Sequence, residues 1–468
     1  MGAGTAQGGA CLLISGKVRK NMEFVVFAGV LLLLFIFMIV QELIQTKNQE
    51  KLFKKYLREN YGKEPPKEYS LERFARLGSY LERHKEEKQL DDITWNDLGM
   101  DEVFRRIDRT YSAAGEEYLY YTLRNISCGR EALEHLEEVV NWLQEQENIK
   151  VRIQLLMKRL GHLGKYSLYD YLDNLDYLGE RSNRKIVLGN LLYLPFLLLL
   201  FVQPAMGTIG IVLCMLWHIM TYFREKKVIE PYIISFAYVL RLIDVCEELE
   251  KQKIPVYRRE LDELREALKS LRELRRGAYW VMAGNQGKIG GNPLDILADY
   301  LRMILHLDIF QFNRMLEKLR KKTGQVETML AITGYLDMAI SVGGFRKSLE
   351  GYCIPKLEED TEKAFLHMKK GWHPLLSQPV KNSIRADRGI LLTGSNASGK
   401  STFLKMVAVN AVLAQTIHTC AAESYHAPIF QIFSSMALRD SMENGESYYI
   451  VEIRSLKRIL DAAGERRT

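Results

Sequence analysis

Two apolar runs without a charge, Ile186–Val202 (IVLGNLLYLPFLLLLFV) and Met206–Phe223 (MGTIGIVLCMLWHIMTYF), lie in the middle of the chain, separated only by Gln203, Pro204 and Ala205. Backbone placed in hydrocarbon must satisfy its own N–H and C=O groups, which a helix does and an isolated strand does not. A seventeen-residue helix reaches roughly 26 Å, near the lower limit for a hydrocarbon layer of ~30 Å. The pair therefore reads as a tight transmembrane hairpin. Arg181, Arg184 and Lys185 precede it and Arg224, Lys226 and Lys227 follow it. The positive-inside rule then places both ends in the cytoplasm. A third run, Phe24–Val40, has Lys17, Arg19 and Lys20 before it and Lys47, Lys51, Lys54, Lys55 and Arg58 after it, so the charges favour a cytoplasmic C-terminal side. It is too long for a signal-peptide core, and no small-x-small cleavage site follows in QELIQTKNQE. The competing reading, three buried helices of a soluble core, is disfavoured because charge-free runs of this length are rare there. Pro195 is expected to kink its helix, and His218 to sit near the membrane interface.

The remaining composition is that of a folded, helix-leaning chain. Of 468 residues, 47% are hydrophobic, 26% are charged and only 11 are proline, which excludes a disordered protein and leaves room for about two to four domains. The net charge of +7 is compatible with anionic lipid, nucleic acid or neither. Cys11, Cys128, Cys214, Cys246, Cys353 and Cys420 form no CxxC pair, and the histidines show no metal-ligand spacing. A zinc site or disulfide framework is not expected, and a reducing compartment is the simpler reading.

Helical periodicity covers much of the rest. EALEHLEEVVNWLQEQ places Leu133, Leu136, Val139, Val140 and Leu143 on one face. In IPVYRRELDELREALKSLRELRRG, Leu261, Leu264, Leu268 and Leu271 form a stripe among dense charge, read as core packing in preference to a pairing arm; Pro255 lies near its start and Gly277 at its end. GNQGKIGGNP (284–293) is expected to be a loop.

Near residue 370 short apolar strands and turns replace this pattern, and a phosphate loop follows. Gly394-Ser395-Asn396-Ala397-Ser398-Gly399-Lys400-Ser401 fits GxxxxGK[ST] in full. Glycines at both ends let the backbone curl so that successive N–H groups face phosphate oxygens, and the next helix adds its N-terminal partial charge. Residues 394–401 and Thr402 are assigned to nucleotide binding, with Lys400 on the β- and γ-phosphates and Ser401 on Mg²⁺. GILLT (389–393) reads as a buried strand and STFLKMVAVNAVLAQ (401–415) as a helix, the flanks such a loop requires. ATP and Mg²⁺ are therefore the expected cofactors. Hydrolysis also needs an apolar strand ending in Asp-Glu, and no such pair follows Lys400. Glu452 follows the apolar YYIV but runs on into IRSLKRIL, so it is given a structural or surface role and no catalytic residue is assigned.

GILLTGSNASGKSTFLKMVAVNAVLAQ, with GWHPLL (371–376) and PVKNSI (379–384) before it, resembles the ATPase domain of the MutS mismatch-repair family. The family's loop usually reads TGPNMGGKSTF; here it is TGSNASGKSTF. SSMALRDSMENGESYYIVEIRSLKRIL (434–460) resembles the segment that meets ATP across the family's dimer. On that resemblance Ser447 matches the serine that contacts the partner's γ-phosphate, while Tyr448 departs from the usual threonine. The adenine-stacking aromatic falls near Pro379, a further departure. TYSAAGEEYLYYTLRN (110–125) resembles the start of the family's helical lever. The family's Asp-Glu strand is expected just after ILDAAGERRT, where the chain stops, so the resemblance implies an incomplete ATPase domain. The only Phe-x-Glu, Phe223-Arg224-Glu225, lies at the end of an apolar run, and no mismatch-reading domain is expected.

The fold class that results is mainly α with a C-terminal, incomplete α/β P-loop ATPase domain, plus transmembrane helices at the N-terminus and as an internal hairpin. The expected divisions are 1–22 disordered, 23–41 transmembrane, 42–185 first lever-like half, 186–223 hairpin, 224–365 second lever and arm half, and 366–468 ATPase domain. The function implied is a membrane-anchored, MutS-like ATP-binding homodimer, multi-pass in the cell membrane with cytoplasmic soluble domains, that closes on DNA with ATP. An engine that acts on a non-DNA partner, and an inactive fragment, are the alternatives.

Overall fold

The computed structural model describes residues 37, 40–41, 44–63, 69, 71–85, 89–126, 129–163, 167–275, 300–359, 364–396, 398–436 and 448–463. The expectations for residues 1–22, for nearly all of the 23–41 span, for the 284–293 loop and for Ser447 lie outside them. The chain divides into two compact units, Met1–Tyr61 and Gly62–Thr468. In the first, the described chain is helical over 44–60 (α1), with Glu50–Lys54 and Lys55–Glu59 one turn apart on its surface.

Among its described residues the second unit is helical apart from one small sheet and the connecting turns. Its first helices are α2 (Leu71–Arg83), α3 (Asp92–Leu98), α4 (Met100–Ile107), α5 (Ala113–Arg124), α6 (Gly129–Glu145), α7 (Glu147–Leu160) and α8 (Leu168–Asp173). The hairpin region holds α9 (Arg184–Leu191), α10 (Tyr193–Val202) and α11 (Pro204–Glu250). After it come α12 (Arg258–Leu271), α13 (Leu307–Arg320) and α14 (Thr323–Ser348).

Helix α14 runs through the core and packs on α5, α6, α7, α11 and α12. It is apolar and long enough to resemble a membrane span, yet 83% of its most apolar window is buried. It also carries Asp337, buried, which accepts from Tyr111 N at 3.0 Å, Ser112 N at 2.9 Å and Ser112 Oγ at 2.6 Å. Ser112 Oγ in turn accepts from Gly115 N and caps α5. In the first turn of α5, fully buried Glu116 receives Arg73 and Arg76 from α2. The leucine stripes behave as their spacing predicts. Leu133, Leu136, Val139, Val140 and Leu143 of α6 are buried, as are Leu261, Leu264, Leu268 and Leu271 of α12. The α12 stripe lies against α14, which makes it core and not a free arm.

The expected kink appears as a break at Leu192 between α9 and α10. Pro195 has no N–H to return to the Leu191 carbonyl, so the ladder is interrupted at that point. Helices α10 and α11 pack closely: a Cβ on Gly210 would lie 2.1 Å from the Phe196 ring, so only glycine permits this approach. The outward side chains of the hairpin are uncovered, with Leu198 68%, Met220 74% and Phe201 88% exposed. By length and composition Arg184–Val202 and Pro204–Glu250 are apolar enough to cross a membrane. His218 is enclosed by protein. It is buried inside the hairpin, where Nδ1 donates to Cys214 O at 2.9 Å and the ring meets Tyr193. Helix α11 is continuous over 47 residues, roughly 70 Å, and passes through position 223 without interruption. Its second half, including Phe236, Tyr238, Leu242, Val245 and Leu249, lies in the helical core.

The sheet has four strands, β1 (Lys356–Glu358), β2 (Leu366–Gly371), β3 (Asn382–Ala386) and β4 (Ser424–Pro428), in the order β1-β4-β2-β3. β1 and β4 are parallel, while β2 is antiparallel to both β4 and β3. The strand expected at 389–393 is absent. That segment is coil, no strand among the described residues pairs with it, and Ile390, Leu391 and Leu392 are exposed. An apolar run becomes a buried strand only when neighbours supply hydrogen-bond partners and cover its faces.

Substituting Asp337→Ala leaves the half-buried Tyr111 N–H and the buried Ser112 N–H without this acceptor. A loss of about 3 kcal/mol in unfolding free energy is expected from the cost of unsatisfied donors, read by urea denaturation followed by far-UV circular dichroism.

Candidate nucleotide-binding site

The GxxxxGKS segment sits at the start of α15 (Lys400–Ile417), an 18-residue helix. Gly399 has φ +87°, a conformation that favours glycine, and turns the chain from loop into helix. Phe403 N already donates to Gly399 O, which starts the helical ladder. Ser398 N donates to Ser395 O, and a Cβ on Gly394 would lie 2.9 Å from Ser398 Oγ, so the two ends of the loop curl against each other. Lys400 Nζ donates to Gly394 O at 2.7 Å and to Ser395 O at 2.5 Å. Gly394, Ser395, Asn396, Ser398, Gly399, Ser401 and Thr402 are all exposed; Ala397 lies outside the described residues.

The groups gathered here are an ammonium, helix-start amides and a hydroxyl, the donor types that phosphate recognition uses. The lysine ammonium is held over the loop by two neutral carbonyls, and the first turn of α15 offers backbone N–H groups with the helix's partial positive charge behind them. The Ser401 hydroxyl stands on that first turn where a divalent cation would accompany the phosphates. Among the expected site residues the structure thus brings Gly394, Ser395, Ser398, Gly399, Lys400 and Ser401 together. Glu452 lies exposed on α16 (Tyr448–Ala463), in accord with a surface role.

What holds α15 in place was not read from the sequence. Asn410, fully buried, donates to Trp372 O at 3.0 Å and accepts from Ala421 N at 2.7 Å. Gln415 exchanges two hydrogen bonds with the Phe430 backbone. At the C-terminal end, the buried Arg346 of α14 donates to Ile417 O, His418 O and Thr419 Oγ1, and pairs with both oxygens of Glu137 on α6 at 3.0 and 2.7 Å. A guanidinium there complements the negative end of the helix dipole. A second fastening runs through residues 434–436. Ser434 Oγ and Met436 N donate to Asp97 Oδ2 on α3, and Arg458 of α16 donates to Ser434 O. The available signal was polarity on an apolar face: Asn410 and Gln415 in MVAVNAVLAQ, and Arg346 after SVGGF.

Burial alone would raise the Glu137 carboxyl. Hydrogen bonds from His418 and Arg346, with the Arg346 charge, outweigh it and hold the group at about 2, against an ordinary 4.5. A carboxyl held low contributes its full stabilisation above the ordinary value and loses it as pH falls toward the folded value. Acid titration is therefore expected to loosen the α6–α14–α15 junction between about pH 4.5 and 2, and Glu137→Gln to flatten that part of the curve, as followed by circular dichroism. Arg346→Met leaves Glu137 and the α15 carbonyls unpaired, and a loss of about 3–5 kcal/mol in chemical denaturation is expected.

Residues 390–467 match the family model described as MutS domain V. Similarity to curated proteins covers about a third of the chain. The DNA mismatch repair protein MutS of Pseudothermotoga lettingae is 28% identical over 162 residues, 33% of this chain and 20% of that protein. The protein of the same name from Leptospira interrogans serogroup Icterohaemorrhagiae serovar copenhageni is 30% identical over 171 residues, 34% of this chain and 20% of that protein. That from Acholeplasma laidlawii is 32% identical over 148 residues, 30% of this chain and 17% of that protein. The chain thus spans about a fifth of the length of these relatives. The GxxxxGKS loop at the head of α15 falls within the matched region, and this part of the chain is similar to the MutS proteins.

Proposed function

We propose that this chain is a membrane-anchored, ATP-binding protein in which Mg²⁺–ATP at residues 394–401 promotes association of two copies. The observation that carries the reading is the curled, exposed loop with Lys400 held on the Gly394 and Ser395 carbonyls at the head of α15. On this reading Lys400 exchanges two carbonyls for phosphate oxygens, Ser401 supplies a hydroxyl to Mg²⁺, and Ser447 reaches the γ-phosphate of the other copy. The bound nucleotide supplies a concentrated negative charge that the loop amides and Lys400 neutralise.

The hairpin provides the anchor. Its outward residues are apolar and exposed, while Arg184, Lys185, Arg224 and Lys227 mark its base. Anchored protein stays in the pellet on alkaline extraction of membranes; release into the supernatant after disruption of α10 by paired Leu198→Asp and Phe201→Asp changes supports this role.

Closure on DNA is the reading that the relatives' printed names suggest. Action on a non-DNA partner is the second reading, and the surface of α12 favours it. Arg259 pairs with Glu263, Arg265 with Asp262 and Glu250, and Lys269 with Glu266, so these cations are engaged with carboxylates and form no basic stripe for a phosphate backbone. Binding to duplex and branched DNA at low and moderate salt separates the two, because a DNA-closing protein loses affinity steeply as salt rises.

The loop assignment is tested by Lys400→Ala. Removing one charge-assisted contact of about 1.5–3 kcal/mol is expected to weaken Mg²⁺–ATP binding roughly ten- to a hundredfold, measured by fluorescent-nucleotide titration. Unchanged affinity removes the assignment.

A further inference from the structure

Cys353 and Cys420 are far apart in sequence but face each other across an isolated antiparallel bridge. Cys353 N donates to Cys420 O at 2.9 Å, and Cys420 N donates to Cys353 O at 3.0 Å. Reciprocal bonding of this kind sets the Cα atoms about 5.5 Å apart, within the ~4.4–6.8 Å that a disulfide spans. As directly opposed residues of an antiparallel bridge, the two side chains fall on the same side, and both thiols are free. Their surroundings differ. Cys353 is half-buried, while Cys420 is fully buried and its Sγ points at Asn410 O.

We propose that Cys353 and Cys420 form a reversible redox pair, closed by exchange with a low-molecular-weight disulfide such as glutathione disulfide. Cys353 is the attacking sulfur. The hydrogen bond from Cys420 lowers its pKa against the opposing effect of burial, whereas burial pushes the Cys420 thiol up. The Cys353 thiolate attacks one sulfur of the oxidant, whose S–S bond breaks and releases one glutathione thiolate. Cys420 then gives up its proton and attacks Cys353 Sγ, forming the protein S–S bond and expelling the second glutathione. The protein pair loses two electrons and two protons, and one glutathione disulfide is reduced to two glutathiones. Partial exposure of Cys353 leaves the bond open to the reverse attack, which makes the site reversible.

The position gives the bond a consequence. Cys353 lies between α14 and β1, and Cys420 lies between α15 and β4, next to Thr419, which receives Arg346. Oxidation would add a covalent tie beside the noncovalent clamp that joins the helical core to the far end of the phosphate-loop helix.

The test uses the full chain in detergent micelles, equilibrated in glutathione buffers of graded oxidation, quenched by alkylation and analysed by peptide mass spectrometry. Cys353 and Cys420 are expected to escape alkylation together, in a linked peptide lighter by two hydrogen atoms, and to recover with excess glutathione. The oxidised protein is expected to unfold at a higher temperature. With Cys420→Ser, Cys353 should stop at the mixed disulfide; with Cys353→Ser, Cys420 should remain an unmodified thiol. The proposal is overturned if, in the folded wild-type protein, both cysteines alkylate freely throughout the range, or if Cys353 takes up glutathione without ever linking to Cys420.

Discussion

The Arg346 guanidinium is the contact on which the joined architecture depends. It has no exposure to solvent, so its charge must be answered inside the protein. Glu137 answers it with two oxygens, and the end of α15 answers it with two carbonyls and the Thr419 hydroxyl. Three helices, α6, α14 and α15, therefore converge on one side chain. A lysine would supply a point charge there but not the planar fork that meets a carboxylate and a helix terminus together. At the opposite end of α15, roughly 27 Å away, the positive half of the same helix dipole faces the phosphate loop. The loop and the clamp are the two ends of one rod, whose middle is pinned by Asn410 and Gln415.

A second continuous element reaches the other way. Helix α11 begins beside the hairpin turn and ends among the buried side chains of the helical core, with no break between. The hairpin base is also stitched to the following segment: Asn190 donates to Leu305 O, Asn183 to Phe310 O, and Tyr222 to Asp308. The apolar hairpin is thus not a tethered appendage. Any force that fixes its exposed leucines and phenylalanines is borne directly by the helix that packs on α7, α12 and α14.

The sequence was most informative where a local pattern determines the outcome. Absence of charge over two runs gave the hairpin; leucine spacing gave the buried faces of α6 and α12; Gly394, Gly399 and Lys400 gave the loop-to-helix turn. It was least informative where the outcome depends on partners. The apolar GILLT reads as a strand, but strand formation is a property of a pair, and no described strand lies beside 389–393. Cys353 and Cys420 read as isolated because their proximity is created by the crossover from the end of α14 to the end of α15. Arg346 was not singled out by any local pattern, yet it is the most buried charge at the junction. The partners of His218, its i−4 carbonyl and the Tyr193 ring, depend likewise on how α10 packs against α11.

The loop itself is built unequally. Its C-terminal half, from Ser398 through Ser401, is set by the start of α15 and so by everything that fastens that helix. Its N-terminal half follows a segment whose backbone pairs with no described strand and whose apolar side chains face outward. The groups assigned to phosphate, namely the first-turn amides, Lys400 and Ser401, all belong to the fastened half. On the proposed reading, charge recognition rests on the fastened half, and affinity depends on 389–393 only to the extent that this unpaired backbone has to be ordered, at about 1–2 kcal/mol per residue. A partner strand that pairs residues 389–393 and covers Ile390, Leu391 and Leu392 would lower that cost before nucleotide arrives. On that reading, nucleotide affinity and the covering of this apolar segment are linked, with the phosphate contacts on one side and backbone order on the other.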